Sequence, residues 1–314
     1  MSKNARSKES HLLFARDRPS TLGRLDRDSR LHRIRAGVYI ERAAWDGLAP
    51  WDRYRMRVRA VAATWTAPVF CLEAAATVHN LPIFGEPRWI HLLGPGGLSW
   101  REGDVVVHGT RDERDVSERD GMLVTPLADT TLDLCRVLPP AFALGVADRA
   151  FRWGGRGRPL GERGREQANR RGVRQLDWID ENADPLAESA GESVSRAVTG
   201  WLGYERPRAQ VTFRYEGVED RVDFLFPSTQ AIAESDGYGK YDADDPEAMK
   251  LHFVAEKRRE DRLRRNGHPF ARWDWADTMA ARPLDRALRA AGLSPVRSPD
   301  RRGLATLATN PRSF

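Results

Sequence analysis

The chain has 314 residues, 40% hydrophobic and 31% charged, with a formal net charge of +6 and a pI near 9.6. That length fits about two domains of ~150 residues each. No apolar run approaches the ~18 residues of a spanning helix, none follows the N-terminal MSKNARSKES, and Cys71 and Cys135 stand apart with no CxxC, so a membrane span, a secretory leader, a disulfide framework and a cysteine zinc site are not expected and a cytoplasmic protein is.

Charge is uneven. Residues 1–60 carry 15 Lys or Arg against 7 Asp or Glu, net +8, so the remainder sums to −2. A basic front of this kind favours a polyanionic partner such as DNA.

Residues 1–10 read as a basic arm. Ser20 and Thr21 can cap a short helix from Leu22, and the segment LHRIRAGVYI reads as a hairpin turning at Gly37. Two short helices and a hairpin make residues 1–44 a winged-helix module. Residues 50–65 suit an amphipathic helix, CLEAAATVHNLP a second helix stopped at Asn80 and Pro82, and RWIHLLGP and DVVVHGT alternate like strands. Further helices flank Pro139 and Pro140, so residues 45–153 form a mixed α/β domain. The Gly- and Arg-rich stretch 154–183 reads as a linker and helical connector. In 184–296 the order is α-β-β-β-α-β: a helix over 189–203, strands QVTFRY, VEDRVDFLFP and AIAESDGY, a long helix over 246–267 and a strand PFARWDW, with PLDRALRAAG closing. Residues 297–314 read as a flexible tail. The fold class is thus α+β or α/β in two parts.

Within AIAESDG, Glu234 and Asp236 are two residues apart and share a strand face. Asp223 lies between Val222 and Phe224 in the preceding strand. A carboxylate embedded in an apolar strand is costly unless paired or bound to metal. Carboxylates converging from adjacent strand ends suit Mg²⁺, which takes one or two of them and keeps its water. Gly237 and Gly239 permit a chain reversal before Lys240. Glu256, Arg259, Glu260 and Leu263 share one face of the long helix, either as a salt-bridge ladder or with Arg259 contacting phosphate.

This order, with Asp223 and then Glu234-x-Asp236, resembles the PD-(D/E)XK nuclease superfamily, and VDFLFP…AIAESDGYGKY with ARWDW is similar to Vsr-like endonuclease domains over about residues 185–293. The resemblance implies an endonuclease using Mg²⁺ or Mn²⁺, with Asp223 and Glu234 as metal ligands and Glu192 as the helical acid, Glu188 being its alternative. Asp236 stands where that family has its lysine, and Lys240 would serve as a displaced one. This departure leaves open a domain that no longer cuts.

In the front half, Arg24, Arg27, Arg30, Arg33 and Arg35 fall within twelve positions, as in a helix and wing that contact phosphates and guanine edges. LDRDSRLHRIRAGVYI, CLEAAATVHNLPI and MLVTPLADTTLDLCR together resemble AbiEi-type antitoxins over residues 10–153. That resemblance implies a winged-helix regulator with Arg33, Arg35, Gly37, Val38 and Tyr39 in the wing. It also implies DNA as partner, a homodimer, and a cognate toxin. His79 beside a helix stop reads as a structural hydrogen-bonder. His91 and His108, on separate strands, receive no role. There is no P-loop, GxSxG or HExxH.

Overall fold

The computed structural model describes residues 12–17, 25–236, 246–308 and 310–314. The chain is mixed α+β with three sheets, and no described helix is long and apolar enough to cross a membrane. It divides into two compact units: residues 1–130 with 311–314, and residues 131–310. The division therefore falls between Thr130 and Thr131, upstream of the 154–183 stretch read as the linker. The basic arm, the helix expected from Leu22, Arg24 and Lys240 lie outside the described residues.

In the first unit, β1 (Leu13–Phe14), β2 (Leu31–Arg35) and β3 (Val38–Glu41) form a small sheet in the order β1-β3-β2. The expected hairpin is present, turning through Gly37 at φ +75°, a conformation glycine adopts without the Cβ clash. Ala15, Leu25 and Tyr39 form its core. Next come α1 (Arg42–Asp46), α2 (Pro50–Thr64), β4 (Val69–Phe70), α3 (Leu72–Val78), β5 (Ile90–Gly94), β6 (Trp100–Glu102), β7 (Val105–Gly109), β8 (Ser117–Arg119) and β9 (Met122–Val124). The last six strands make a sheet ordered β6-β7-β5-β4-β9-β8, with β5–β7 and β4–β9 parallel. Tyr54, Val58 and Val61 of α2 and Ala74, Ala75 and Val78 of α3 bury its Ile90, Leu92, Val105 and Val107.

His91 and His108, given no role by the sequence, are brought together. The parallel pairing of β5 with β7, which skips β6, brings His91 Nδ1 within 2.9 Å of His108 Nε2. Arg312 Nη2 lies 3.1 Å from His91 Nε2. Arginine only donates, so His91 Nε2 accepts and its Nδ1–H donates to His108. His79, as expected, is structural: its Nε2 meets the Thr125 carbonyl at 2.8 Å.

Helix α4 (Leu127–Val137) leads into the second unit, followed by α5 (Pro140–Gly154), α6 (Leu160–Glu166), α7 (Val173–Asn182) and α8 (Ala190–Trp201). Residues 160–182 are folded rather than loose because Leu160, Leu176 and Ile179 are fully buried. Asp180 of α7 also accepts hydrogen bonds from the first amides of α6, Leu160 N and Gly161 N, at 3.0 and 2.8 Å, capping it from outside. The stretch is polar in composition yet hides one apolar stripe.

The core of this unit is the sheet β10 (Arg208–Tyr215), β11 (Val218–Phe226), β12 (Ala231–Asp236) and β13 (Phe270–Asp274), in that order. The first three strands run antiparallel, and α9 (Pro246–Arg265) returns the chain to lay β13 parallel to β12. Leu263 of α9 packs with Val222, Leu225, Ile232 and Phe270 on one face. On the other, Trp273 donates its indole N–H to Ser195 of α8 at 2.9 Å. The expected α-β-β-β-α-β order is observed. Beyond it, α10 (Trp275–Ala280), α11 (Arg282–Ala290) and α12 (Arg301–Ala305) follow. Residues 297–308, expected to belong to a flexible tail, instead cover Trp201: a Cβ on Gly303 would sit 2.6 Å from the indole ring. Asp300 caps α12 through Arg302 N and Gly303 N.

Each unit carries a feature whose effect on stability can be measured. Gly203 adopts φ +92°, and a Cβ there would lie 2.1 Å from the Arg297 carbonyl oxygen; Gly203→Ala is expected to cost the second unit about 3 kcal/mol, read from the denaturant midpoint. Burial holds His91 down at about 3, and lowers His108 as well, from the ordinary 6.5. The unfolded chain then takes up protons below pH 6.5 that the folded unit refuses, so their stabilisation is complete above 6.5 and is lost as pH falls toward about 3. The buried Glu73, whose pKa burial would raise but Arg312 holds below its usual 4.5, loses its own stabilisation in the same direction but below that value, so the window from 6.5 to 4.5 is left to the histidines. Denaturation of the first unit should therefore grow easier across that window, and His91→Gln should flatten the dependence.

Candidate functional site

Strand β12 carries the centre of the acidic set. Ala231, Ile232 and Ala233 are buried and fix the strand in the middle of the sheet. The two-residue alternation then turns Ile232 and Glu234 toward α9, while Ser235 meets Ser195 of α8 at 3.2 Å. Glu234 is 3% exposed. Such a carboxylate cannot stay ionised without partners, and it has two. Arg259 of α9 approaches it to 2.6 Å and Arg272 of β13 to 2.8 Å through their Nη2 atoms. Arg259 Nη2 reaches both oxygens, with the hydrogen bond to Oε2 and an ion-pair contact to Oε1.

Arg272 ties the cluster together. It also meets Glu256 Oε2 at 3.4 Å and Asp236 Oδ2 at 3.6 Å. Burial works against its charge, but Asp236, Glu234 and Glu256 outweigh that and raise its pKa above the arginine norm. Sequence reasoning misses Arg272. The signal lies in ARWD, where Arg272 falls beside Glu234 once β13 is known to run parallel to β12.

Asp223 extends the set across the β11–β12 pair. The pairs Phe224↔Ala233 and Leu225↔Ile232 place Asp223 opposite Glu234, and its Oδ2 accepts from Ser235 N at 3.0 Å. The β-alternation breaks here, since Val222 and Leu225 join the same core although three residues apart. Opposite the break, Gln210 takes φ +54°, a conformation costly for a non-glycine residue. Gln210 donates through Nε2 to Glu192 Oε2 at 2.8 Å. Glu192 sits in the first turn of α8, whose N-cap Ser189 accepts from Glu192 N, and its carboxylate also accepts from Glu188 N at 3.0 Å. Glu188, the alternative acid, is taken up by Arg152 and Arg221 at 2.7 and 2.6 Å.

Among the described residues no three His, Cys, Asp or Glu side chains gather in a geometry that holds a metal ion. The donor chemistry still fits one. Glu234 and Asp223 are hard oxygen ligands of the type Mg²⁺ takes, with Glu234 Oε1 already 2.6 Å from the Arg259 guanidinium. The guanidiniums of Arg259 and Arg272 compete for the same carboxylate.

Arg259 therefore faces inward, against Glu234 and the Arg221 carbonyl at 2.9 Å. The surface ladder on α9 is Glu260 with Arg264, at 2.8 Å. Asp220, only 5% exposed, receives a two-pronged contact from Arg262, both bonds at 2.7 Å, so α9 is fastened to the sheet by Arg259, Arg262 and Leu263.

In the first unit, the arginines chosen for DNA contact meet carboxylates. Arg30 pairs with Asp28 at 2.8 Å, Arg33 with Asp26 at 3.5 Å and Arg35 with Asp104 at 2.7 Å. Arg27 is exposed. The Arg30 and Arg33 side chains remain more than half exposed, where such pairs are worth ~0–1 kcal/mol and yield readily to phosphate. Arg35 is largely buried over the Trp65 ring.

No protein-family model matches the chain, and no curated protein matches it.

Proposed function

We propose that the chain is a DNA-binding protein whose second unit is an endonuclease-type domain that hydrolyses phosphodiester bonds with Mg²⁺ or Mn²⁺. The observation that carries this reading is the register of β11 on β12, which sets Asp223 across from Glu234 at the strand ends beside α9. Asp223 and Glu234 would hold the ion, with Glu192 as the third acid. The ion, when bound, supplies charge neutralisation at phosphorus and a water activated for attack. Glu192 acts through Gln210, which holds the kink that presents Asp223. Arg272 fixes the Glu234 carboxylate, and Arg259, once exchanged from Glu234, has the fork geometry to bind the scissile phosphate. Lys240 would orient the water. The hairpin arginines Arg30 and Arg33, with Arg27, would follow the DNA backbone.

A second reading is a winged-helix regulator of antitoxin type, with a nuclease-like domain that binds DNA without cutting it and a toxin as cognate partner. The observation favouring it is the double arginine clamp on Glu234, together with Asp236 in the lysine position. Here the clamp replaces the metal.

Cleavage of supercoiled plasmid with Mg²⁺ or Mn²⁺ separates the two. The first reading expects nicking by the wild-type chain that Asp223→Ala abolishes. Equal activity in both proteins would refute it, and no nicking in either leaves the regulator reading. Both expect salt-dependent DNA binding, with the slope of log K against log salt falling by about 1 for each phosphate that a substitution leaves without its cation. Arg30→Glu combined with Arg33→Glu should lower that slope by about 2; an unchanged slope removes the wing from the interface.

A further inference from the structure

The last residues of the chain fill a built slot in the first unit. Arg312 sends Nε and Nη2 to the two oxygens of Glu73, the second at 2.6 Å. Glu73 is 3% exposed on the buried helix α3, so it forms a fixed anionic floor. His91 Nε2 accepts from the same guanidinium at 3.1 Å. Ser313 Oγ accepts from Glu86 N at 2.8 Å and donates to Glu86 O at 3.0 Å. The main chain pairs as a short antiparallel strand: Pro87 bridges Ser313, Arg88 N donates to Arg312 O and Phe314 N to Glu86 O, at 2.9 and 3.1 Å. Arg88 Nε grips the Ser313 carbonyl at 2.7 Å. The serine seat is tight: a Cβ on Gly85 would lie 2.3 Å from Ser313 Oγ.

These features are those of peptide recognition by strand addition, in which main-chain bonds give affinity and side-chain pockets give selectivity. The pocket demands arginine. A lysine offers one point charge where Glu73 and His91 take up a fork, and a neutral residue strands a buried carboxylate. Residues 73, 86–88 and 91 hold Arg312 and Ser313 by side chain and main chain, and Arg57 lies over the Phe314 ring at 5.8 Å. Phe314 is 79% exposed, so its ring adds little to the selectivity. We propose that this slot is a peptide-binding site selective for an Arg-Ser segment, and that residues 311–314 are its tethered, displaceable ligand.

The test uses the full chain carrying Arg312→Glu, in which like charge against Glu73 empties the slot, and a fluorescein-labelled pentapeptide of residues 310–314. The peptide should bind this variant saturably below ~1 mM and raise its thermal midpoint. It should bind the wild-type chain at least ~10-fold more weakly, because the tethered tail competes at high effective concentration. The same peptide with alanine for arginine should do neither. Equal binding to variant and wild type, or none to a folded variant, overturns the proposal. If Arg312→Glu does not fold, hydrogen exchange on the wild-type chain decides. A displaceable tail exposes the Arg88 and Phe314 amides together, at a protection below that of Val107 in the sheet. Exchange of all three only in one common unfolding event overturns it.

Discussion

Glu234 is the residue on which the second unit turns. A carboxylate enclosed in the centre of a sheet is tolerable only with cations brought to it, and leaving one unpaired costs about 3–5 kcal/mol. Arg259 comes from α9 and Arg272 from β13. The two elements that must be placed correctly for the parallel strand to form are thus the two that neutralise the acid. Among the described side chains of α9, Leu263 is the fully buried apolar contact; Arg259 and Arg262 add pairs to Glu234 and Asp220, and Glu256 one to Arg272. Charge pairing here gives the helix its rotation and register, a role that apolar contact, being non-directional, fills poorly.

The same economy recurs elsewhere. Asp148 and Arg196 form a buried pair at 2.5 Å between α5 and α8, where burial still raises the Asp148 pKa against the pull of Arg196. Glu73 and Arg312 do the equivalent in the first unit. Arginine in this chain is therefore in large part a structural residue, and its abundance is weak grounds for a nucleic-acid surface. Exposed pairs such as Arg30–Asp28 are the ones a polyanion can open, because solvent already screens them.

This explains which parts of the molecule were legible in the sequence. Strands β10 to β13 and helices α8 and α9 announce themselves through alternation, caps and length, and all fall within a few residues of where the pattern puts them. Asp223 and Glu234 stand out as charges inside apolar strands, and they do end up opposite one another. What the pattern does not carry is pairing between distant strands. Arg272 joins the site only through a parallel register, and His91 reaches His108 only because β7 pairs past β6. Residues 154–183 and 297–314 look loose for a related reason. Their composition is polar, and the contacts that fix them, Asp180 on the α6 amides and Ser313 on Glu86, are single hydrogen-bonded groups with no periodicity.

The clamp on Glu234 also bears on how fold and activity are linked. Two guanidiniums meet this one carboxylate, and charge-assisted contacts of that kind are the strong ones. Arg259 Nη2 lies 2.6 Å from Oε1 as an ion pair and gives its hydrogen bond to Oε2, while the same residue spends its other nitrogen on the Arg221 carbonyl. The Gln210 backbone opposite Asp223 carries a second local cost. These two features lie on β10 and β12, on either side of the strand that carries Asp223. The positive φ belongs to Gln210 and the enclosed carboxylate to Glu234, so the two local costs flank Asp223 from its two neighbouring strands, at the place where the proposed ion would sit.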